Sequence, residues 1–394
     1  MKHITLFIAA LLVSIGAMAQ NVDYDFASGC GPGHTLYYKI LSSNPPQAEV
    51  VYGEASPQGG DLIIPEMAAD TTHTFRLYEV VSIADKAFKY FNFFSEKAGI
   101  LVIPNTVLTI GEESFHLSAF TNIALSESLV SIGNYAFYNV FELTEPLVIP
   151  NSVTSIGNLA FCGCGFTGTL VVPYSVTSIG RQAFYGCGFS SLDWQAQLTE
   201  IPESCFYECQ FSGMITLPEG LTKIGKEAFA KCEAMTGLEL PSTLNNIGYL
   251  AFGGCSGLTY IKIDALMPPY SPPAVFSYVD FDIPVYVPCG TKPLYEETPG
   301  WTDFTNIIDD LDAVNELETD DFAVYPNPVV NQLHVSCQGL NHVTVYDAQG
   351  RKIISMEAEN EDACLDFSKQ ASGVYFIVTT AAEGRKKASR VVKQ

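Results

Sequence analysis

The stretch Leu170–Cys187 reads LVVPYSVTSIGRQAFYGC, and the chain keeps returning to it. Three apolar residues are cut by a proline, a polar turn follows, then Ile-Gly, then Ala-Phe, then a small loop that closes on cysteine. The Ile of the Ile-Gly step recurs at Ile83, Ile110, Ile132, Ile156, Ile179, Ile201, Ile224 and Ile247. The Phe five residues later recurs at Phe88, Phe115, Phe137, Phe161, Phe184, Phe206, Phe229 and Phe252. Both series step by 27, 22, 24, 23, 22, 23 and 23 residues. Self-similarity at that period predicts a solenoid, because one such unit cannot bury its apolar face until a neighbour stacks on it.

Each repeated position has a physical reason. Strand side chains alternate, so the first and third residues of an LVV-type run point into the coil and the middle one points out. The inward pairs are Leu101/Ile103, Ile123/Leu125, Leu147/Ile149, Ile215/Leu217, Leu238/Leu240 and Ile261/Ile263. Pro104, Pro150, Pro173, Pro218 and Pro241 lack the N–H that a ladder needs and end each strand at one level. Gly111, Gly133, Gly157, Gly180, Gly225 and Gly248 are expected to allow a bend that other residues resist. The repeated Phe supplies the bulk of each layer. Ser126 and Gln195 replace the proline, Pro202 replaces the glycine, and Trp194 takes an inward position that is elsewhere Val, Ile or Leu.

With these positions in register, the pattern resembles the BspA-like leucine-rich repeats of bacterial surface proteins. The resemblance implies a right-handed stack with a parallel sheet on one face. About eight rungs at ~4.8 Å make a sheet roughly 40 Å wide. The expected fold is a β-rich solenoid over residues 61–263, followed by a small C-terminal β-sandwich.

Ahead of the repeats, residues 1–19 carry Lys2, an apolar run from Ile4 to Ile15 and the small-residue end Ala17-Met18-Ala19. That is the form of a secretory signal peptide, cut between Ala19 and Gln20. The run is too short to span a bilayer, and no later stretch is long and apolar enough to do so. Residues 20–60 hold strand-like pieces at Thr35–Leu41 and Ala48–Tyr52 and are expected to cap the first coil. Leu62-Ile63-Ile64-Pro65 opens the first rung, with roughly a dozen extra residues before Ile83 by comparison with later rungs.

After Ile263 the composition changes. Residues 264–308 contain the Pro-rich run Met267–Pro273, a strand-like Ile283–Val287, and Gly300-Trp301 followed by Phe304. They look like the closing cap of BspA-like arrays. Residues 309–321 are acidic with few large side chains, and read as an exposed linker.

Residues 322–394 differ again. They open on Tyr325-Pro326-Asn327-Pro328, place a turn at Asp347–Gly350 before Arg351, and carry the strand Gly373-Val374-Tyr375-Phe376. This resembles the type A C-terminal sorting domain of the type IX secretion system of Bacteroidetes. The resemblance implies a removable β-sandwich that engages the secretion machinery, and a product that is secreted or displayed on the outer-membrane exterior.

Charge divides at the same boundary. Residues 20–321 carry 11 Lys and Arg against 36 Asp and Glu, while residues 322–394 carry 8 against 7. A body with this acidic excess repels nucleic acid and anionic lipid.

Five cysteines, Cys164, Cys187, Cys209, Cys232 and Cys255, follow the repeated Phe by three residues and are expected to form a structural column. A small buried side chain closing each coil is the leading reading. Rung-to-rung disulfides and zinc are weaker ones, since five thiols cannot all pair and no histidines stand at ligand spacing. Whether Cys337 and Cys364 pair is left open. No catalytic motif, metal set or cofactor fingerprint is found, so neither an enzyme nor a cofactor is expected.

The informative positions are the outward ones in the middle of each strand. In rung order they are Ile63, Val102, Ala124, Val148, Val171, Asp193, Thr216, Glu239 and Lys262. The first five are apolar and the last four polar or charged. Strand propensity alone accounts for Val and Ile on an exposed face, but not for a change halfway along. These nine residues are the candidate ligand-binding face of a non-catalytic, adhesin-like module. Partners implied by the resemblance are host proteins, other bacteria or a glycan. The alternatives are a structural coat component without a specific ligand and a glycan-harvesting accessory.

Overall fold

The computed structural model describes residues 23–30, 34–54, 60–92, 98–310, 323–337, 339–348, 350–358, 362–381 and 386–394. The expected signal peptide, its expected cut between Ala19 and Gln20, and nearly all of the expected acidic linker lie outside them. The chain forms two compact units, residues 1–212 with 227–232, and residues 213–226 with 233–394.

The first unit begins with β1 (Phe26–Cys30), β2 (His34–Ser43) and β3 (Pro46–Glu54), an antiparallel meander. Phe26, Leu36, Tyr38, Ala48 and Val50 alternate inward and are buried. On the other face Tyr24 meets Tyr37 edge-on, and Tyr37 lies opposite Tyr52 in register. This meander stands where the sequence reading expects a cap. Its β3 runs parallel to β6 (Arg76–Ile83), pairing Val50 with Ile83, so the meander joins the first rung through a continuous ladder. Between them come β4 (Gly60–Ile63) and β5 (Met67–Asp70).

The extra residues of the first rung are a hairpin, with β5 antiparallel to β6. Its turn is wound around Asp70, which is 1% exposed. The carboxylate accepts hydrogen bonds from the backbone N–H groups of Thr72, His73 and Thr74 and from both threonine hydroxyls. Burial alone would raise this carboxyl, but those donors outweigh it and hold it well below the usual carboxylate range.

The coil then carries two ladders where the sequence predicts one. The expected ladder joins β4, β7 (Ala98–Val102) and β9 (Phe120–Ala124), and later β12 (Thr169–Val172) with β14 (Ser191–Trp194). A second forms at the Ile-Gly step. There β6, β8 (Thr109–Ile110), β10 (Ser131–Ile132), β11 (Ser155–Ile156) and β13 (Ser178–Ile179) pair in parallel, isoleucine opposite isoleucine. Strands of two residues are too short to leave an alternation in the sequence, which is why the step reads as a bend.

The glycines of that step are required for a different reason from the one expected. None of Gly111, Gly133, Gly157 and Gly180 is among the positive-φ residues. A Cβ on Gly180 would stand 2.3 Å from the Asn158 nitrogen, and one on Gly133 would stand 2.6 Å from the Gly111 carbonyl carbon. Glycine is needed because successive turns meet backbone to backbone. Across three of these gaps a side chain accepts from the backbone of the next turn. Asp85 Oδ1 accepts from the Glu112 N–H, Asn134 Oδ1 from Asn158, and Asn158 Oδ1 from Arg181.

The core is a stack of rings. Phe88, Phe115, Phe137, Phe161, Phe184 and Phe206 follow one another with centroids 5.1–5.8 Å apart and planes within about 10° of parallel. Each is fully buried, and deleting one such ring costs roughly 3–5 kcal/mol in burial and cavity. A second ring column, not anticipated from the sequence, contains Phe120, Phe166, Phe189 and Phe211 and packs edge-on against the first. Trp194 fills its inward place and meets Phe206 edge-on. The described part of this unit also holds β15 (Glu200–Ile201).

The second unit opens with β16 (Gly213–Thr216), β17 (Lys223–Ile224), β18 (Met235–Leu240), β19 (Asn246–Ile247) and β20 (Tyr260–Ile263), carrying both ladders. The coil does not close at Ile263 as expected. β21 (Val285–Pro288) and, after the short helix α1 (Lys292–Glu297), β22 (Ile307–Asp310) continue the parallel sheet. Val285 and Ile307 take the inward place of Ile261, and Phe276 stacks on Phe252 at 5.5 Å. The solenoid therefore has about ten turns rather than eight. Trp301 ends it, buried edge-on against Phe276 and Tyr295.

Residues 323–394 form two antiparallel sheets. β23 (Ala323–Tyr325), β24 (Gln332–Ser336) and β27 (Asp362–Asp366) make one; β25 (Leu340–Asp347), β26 (Lys352–Glu357), β28 (Gly373–Ala381) and β29 (Lys386–Lys393) make the other. Val335, Val343, Val345, Leu365, Phe367 and Ile377 are buried together between them. The opening motif is tied to the last strand by Asn327, whose Nδ2 donates to the Arg390 carbonyl while its Oδ1 accepts from the Val392 N–H. Asp347 closes the turn by accepting from the Arg351 N–H and guanidinium.

Candidate functional site

Eight of the nine outward residues sit on strands, in three separate sets, and Val148 stands alone. In the first unit Ile63, Val102 and Ala124 are direct register partners across β4, β7 and β9. Ile63 is 45% exposed, and Ile100, two residues before Val102, is 40% exposed and widens the same face. Their inward neighbours Leu62, Ile64, Leu101 and Ile103 are buried. Val148 is 71% exposed but belongs to no strand, because residues 146–150 have no ladder assignment. Val171 and Asp193 are partners on β12 and β14. The expected unbroken strip is thus a compact apolar patch, a lone Val148, and a mixed pair.

In the second unit Thr216, Glu239 and Lys262 are partners across β16, β18 and β20. Thr216 Oγ1 donates to Glu239 Oε2 at 2.9 Å, so this set spends polar groups on cross-strand bonding.

The cysteine column is more than small apolar filling. Cys164 Sγ donates to the Phe137 carbonyl, Cys187 to Phe161, Cys209 to Phe184 and Cys232 to Phe206, at 3.0–3.2 Å. Ser118 Oγ makes the same bond to the Phe88 carbonyl. Burial pushes the Cys209 thiol up to about 12 and the Cys187 thiol well above its ordinary value. No disulfide joins the described cysteines, Cys337 and Cys364 included. Among the described residues no three His, Cys, Asp or Glu side chains converge as a metal set. No described helix is long and apolar enough to cross a membrane.

A feature the sequence reading missed lies on the turn edge, at the residues just after the core Phe. His116 and Tyr138 stack at 5.0 Å, and Tyr90 meets His116 edge-on at 5.9 Å. Tyr185 and Tyr207 stack at 4.7 Å. Lys89 lies over the Tyr90 ring and pairs with Glu113; Lys231 lies over the Tyr207 ring and pairs with Glu208. The signal was spread over the one or two residues after each repeated Phe, and its residue types vary from rung to rung.

Residues 81–210 and 143–259 match the BspA type leucine rich repeat region, in six copies. The chain carries a BspA-type repeat region. Residues 323–394 match the secretion system C-terminal sorting domain. The BspA-type region together with this type IX sorting tail makes the chain a secreted or cell-surface protein. Among solved structures it is similar to a leucine-rich repeat protein from Bacteroides ovatus, at 19% identity and a TM-score of 0.40, over 72% of this chain and 88% of that one. It is also similar to the T. pallidum leucine rich repeat protein, at 22% identity and 0.39, over 57% and 87%. A third is the pneumococcal vaccine antigen PcpA, at 17% identity and 0.36, over 73% and 100%. No curated protein matches.

Proposed function

We propose that the chain is a non-catalytic, adhesin-like binding module, and that the outward patch of Ile63, Ile100, Val102 and Ala124 is its docking face. The observation that supports it is the in-register exposure of three apolar partners on adjacent strands. An exposed apolar patch on a secreted or cell-surface protein is the usual mark of a contact surface. The patch holds no aromatic ring and is shallow, which suits an extended peptide or a flat protein face. The acidic body favours a basic partner and makes association salt-sensitive.

The test is capture by the full chain of matrix proteins, mucins and glycans on an array. Val102→Asp, at the centre of the patch, is expected to abolish capture while stability stays within ~1 kcal/mol, as for most surface changes. Val148→Asp is expected to weaken it less, since that residue stands outside the ladder. Normal melting with undiminished capture by Val102→Asp would sink this reading in favour of a coat component or a site elsewhere.

A further inference from the structure

The ring column on the turn edge is interrupted once. Where neighbouring rungs place His116, Tyr138, Tyr185 and Tyr207, the rung between Tyr138 and Tyr185 places Cys162, followed by Gly163. Cys162 is buried beneath its neighbours, 6% exposed. The Tyr138 and Tyr185 rings are half-buried. Each has one face against a partner ring, His116 or Tyr207. On the side away from that partner the column has no ring, because Cys162 stands there, and Tyr135 packs 5.6 Å from Tyr138 at a tilt. The phenylalanines directly beneath, Phe137, Phe161 and Phe184, set the height of this slot as two steps of 5.3 and 5.7 Å.

The chain itself shows what an uncovered tyrosine face takes here. Lys89 Nζ stands 5.3 Å from the Tyr90 centroid, and Lys231 Nζ stands 5.2 Å from the Tyr207 centroid. An ammonium midway in the slot would lie one step from each ring, close to those distances and inside the ~6 Å reach of a cation–π contact. A group with a tyrosine on each side gains that attraction twice. Residues 98–180 contain no lysine or arginine, and Arg181, on the Tyr185 rung, pairs with Glu203 at 3.4 Å. Asn139, whose Oδ1 would meet a Cβ on Gly163 at 2.1 Å, brings a polar acceptor to the rim. The net charge of −23 draws cations to the surface.

We propose that the slot between Tyr138 and Tyr185, floored by Cys162, binds an alkylammonium group supplied from outside the chain. The proposal is independent of the sheet-face patch. Both a lysine side chain of a partner and a quaternary ammonium headgroup have the required chemistry.

Saturation-transfer NMR on the full chain tests it with three probes: tetramethylammonium, Nα-acetyl-lysine methylamide, and tert-butanol as a neutral isostere. Transfer is expected to one or both cations and not to tert-butanol. It should fall at least tenfold in Tyr138→Leu and Tyr185→Leu, and in Cys162→Tyr, which continues the ring column and fills the slot. Tyr24→Leu, an exposed ring elsewhere, should leave it unchanged. Transfer to both cations points to lysine as the natural source, and transfer to tetramethylammonium alone points to a quaternary headgroup. If Cys162→Tyr fails to fold, Tyr185→Leu decides. Equal transfer to tert-butanol, no transfer to either cation, or full transfer in Tyr185→Leu would overturn the proposal.

Discussion

The Cys187 thiol donates to the carbonyl of Phe161, 3.1 Å away and one turn earlier in the coil. That bond explains why a thiol recurs where any small apolar group would fill the space. It also explains why Ser118 serves in the same place, toward Phe88. Cys187→Ser is therefore expected to stay within ~0.5 kcal/mol of the parent, while Cys187→Ala, which leaves the Phe161 carbonyl with the Cys164 N–H as its remaining donor, should cost about 1–1.5 kcal/mol. Chemical unfolding of the two variants checks it; equal losses would show that only volume matters at this position.

Reactivity should follow the same burial. Thiolate is the reactive form, and burial suppresses it at Cys164, Cys187 and Cys209. Cys364 is exposed. Alkylation of the native chain at mildly alkaline pH, read by peptide mass spectrometry, should label Cys364 and spare the column until denaturant is added. Early labelling of Cys187 would show that the column is open.

Gly180→Ala places a methyl against the backbone of the preceding turn and is expected to destabilise by about 2–3 kcal/mol. Gly29→Ala meets nothing within 4 Å and should be neutral or stabilise by up to ~1 kcal/mol through the unfolded chain. Thermal melts of the pair distinguish close approach from backbone freedom: similar losses at both sites would refute the contact.

How far the fold could be read follows from what repeats. The Ile and Phe registers and the inward pairs were legible because they are bulky, apolar and periodic. The glycines were legible as a position but not as a cause, since a recurring glycine looks the same whether it serves a bend or a close approach. Phe276 and Val285 extend the coil without an Ile-Gly step, so the period was lost there. The outward face was legible by parity, yet Val148 keeps the pattern while its segment leaves the ladder. The edge rings His116 with Tyr138, and Tyr185 with Tyr207, became visible only when folding stacked unlike residues that follow the repeated Phe by one.

His116 supplies a pH dependence. Burial, reinforced by the Lys89 charge and only partly opposed by Glu113, pushes its imidazole down to about 4. In the unfolded chain it protonates near its ordinary value of about 6.5. Between those values the unfolded state holds a proton that the folded state refuses. The contribution is complete above about pH 6.5 and is lost as pH falls toward about 4. His116→Phe, which keeps a ring beside Tyr138, should remove roughly 2–3 kcal/mol of that acid sensitivity. Denaturant midpoints at neutral and mildly acid pH measure it, and an unchanged difference would mean that the imidazole is solvated.

The sorting tail should be absent from the mature product. Mass spectrometry of surface material from the native host is expected to return peptides from the repeats and none from residues 323–394. Intact chains ending at Gln394 on the cell surface would show that the tail is retained.

The side chains that bridge successive turns have an implication for how such a chain changes length. Asn134 accepts from the N–H of Asn158, and Asn158 from that of Arg181, so these three successive turns meet through one repeated contact. Removing or duplicating one whole repeat rejoins matching contacts, while a partial one does not. The array can be lengthened or shortened like a string of interchangeable parts, with its cap and its tail left as they are.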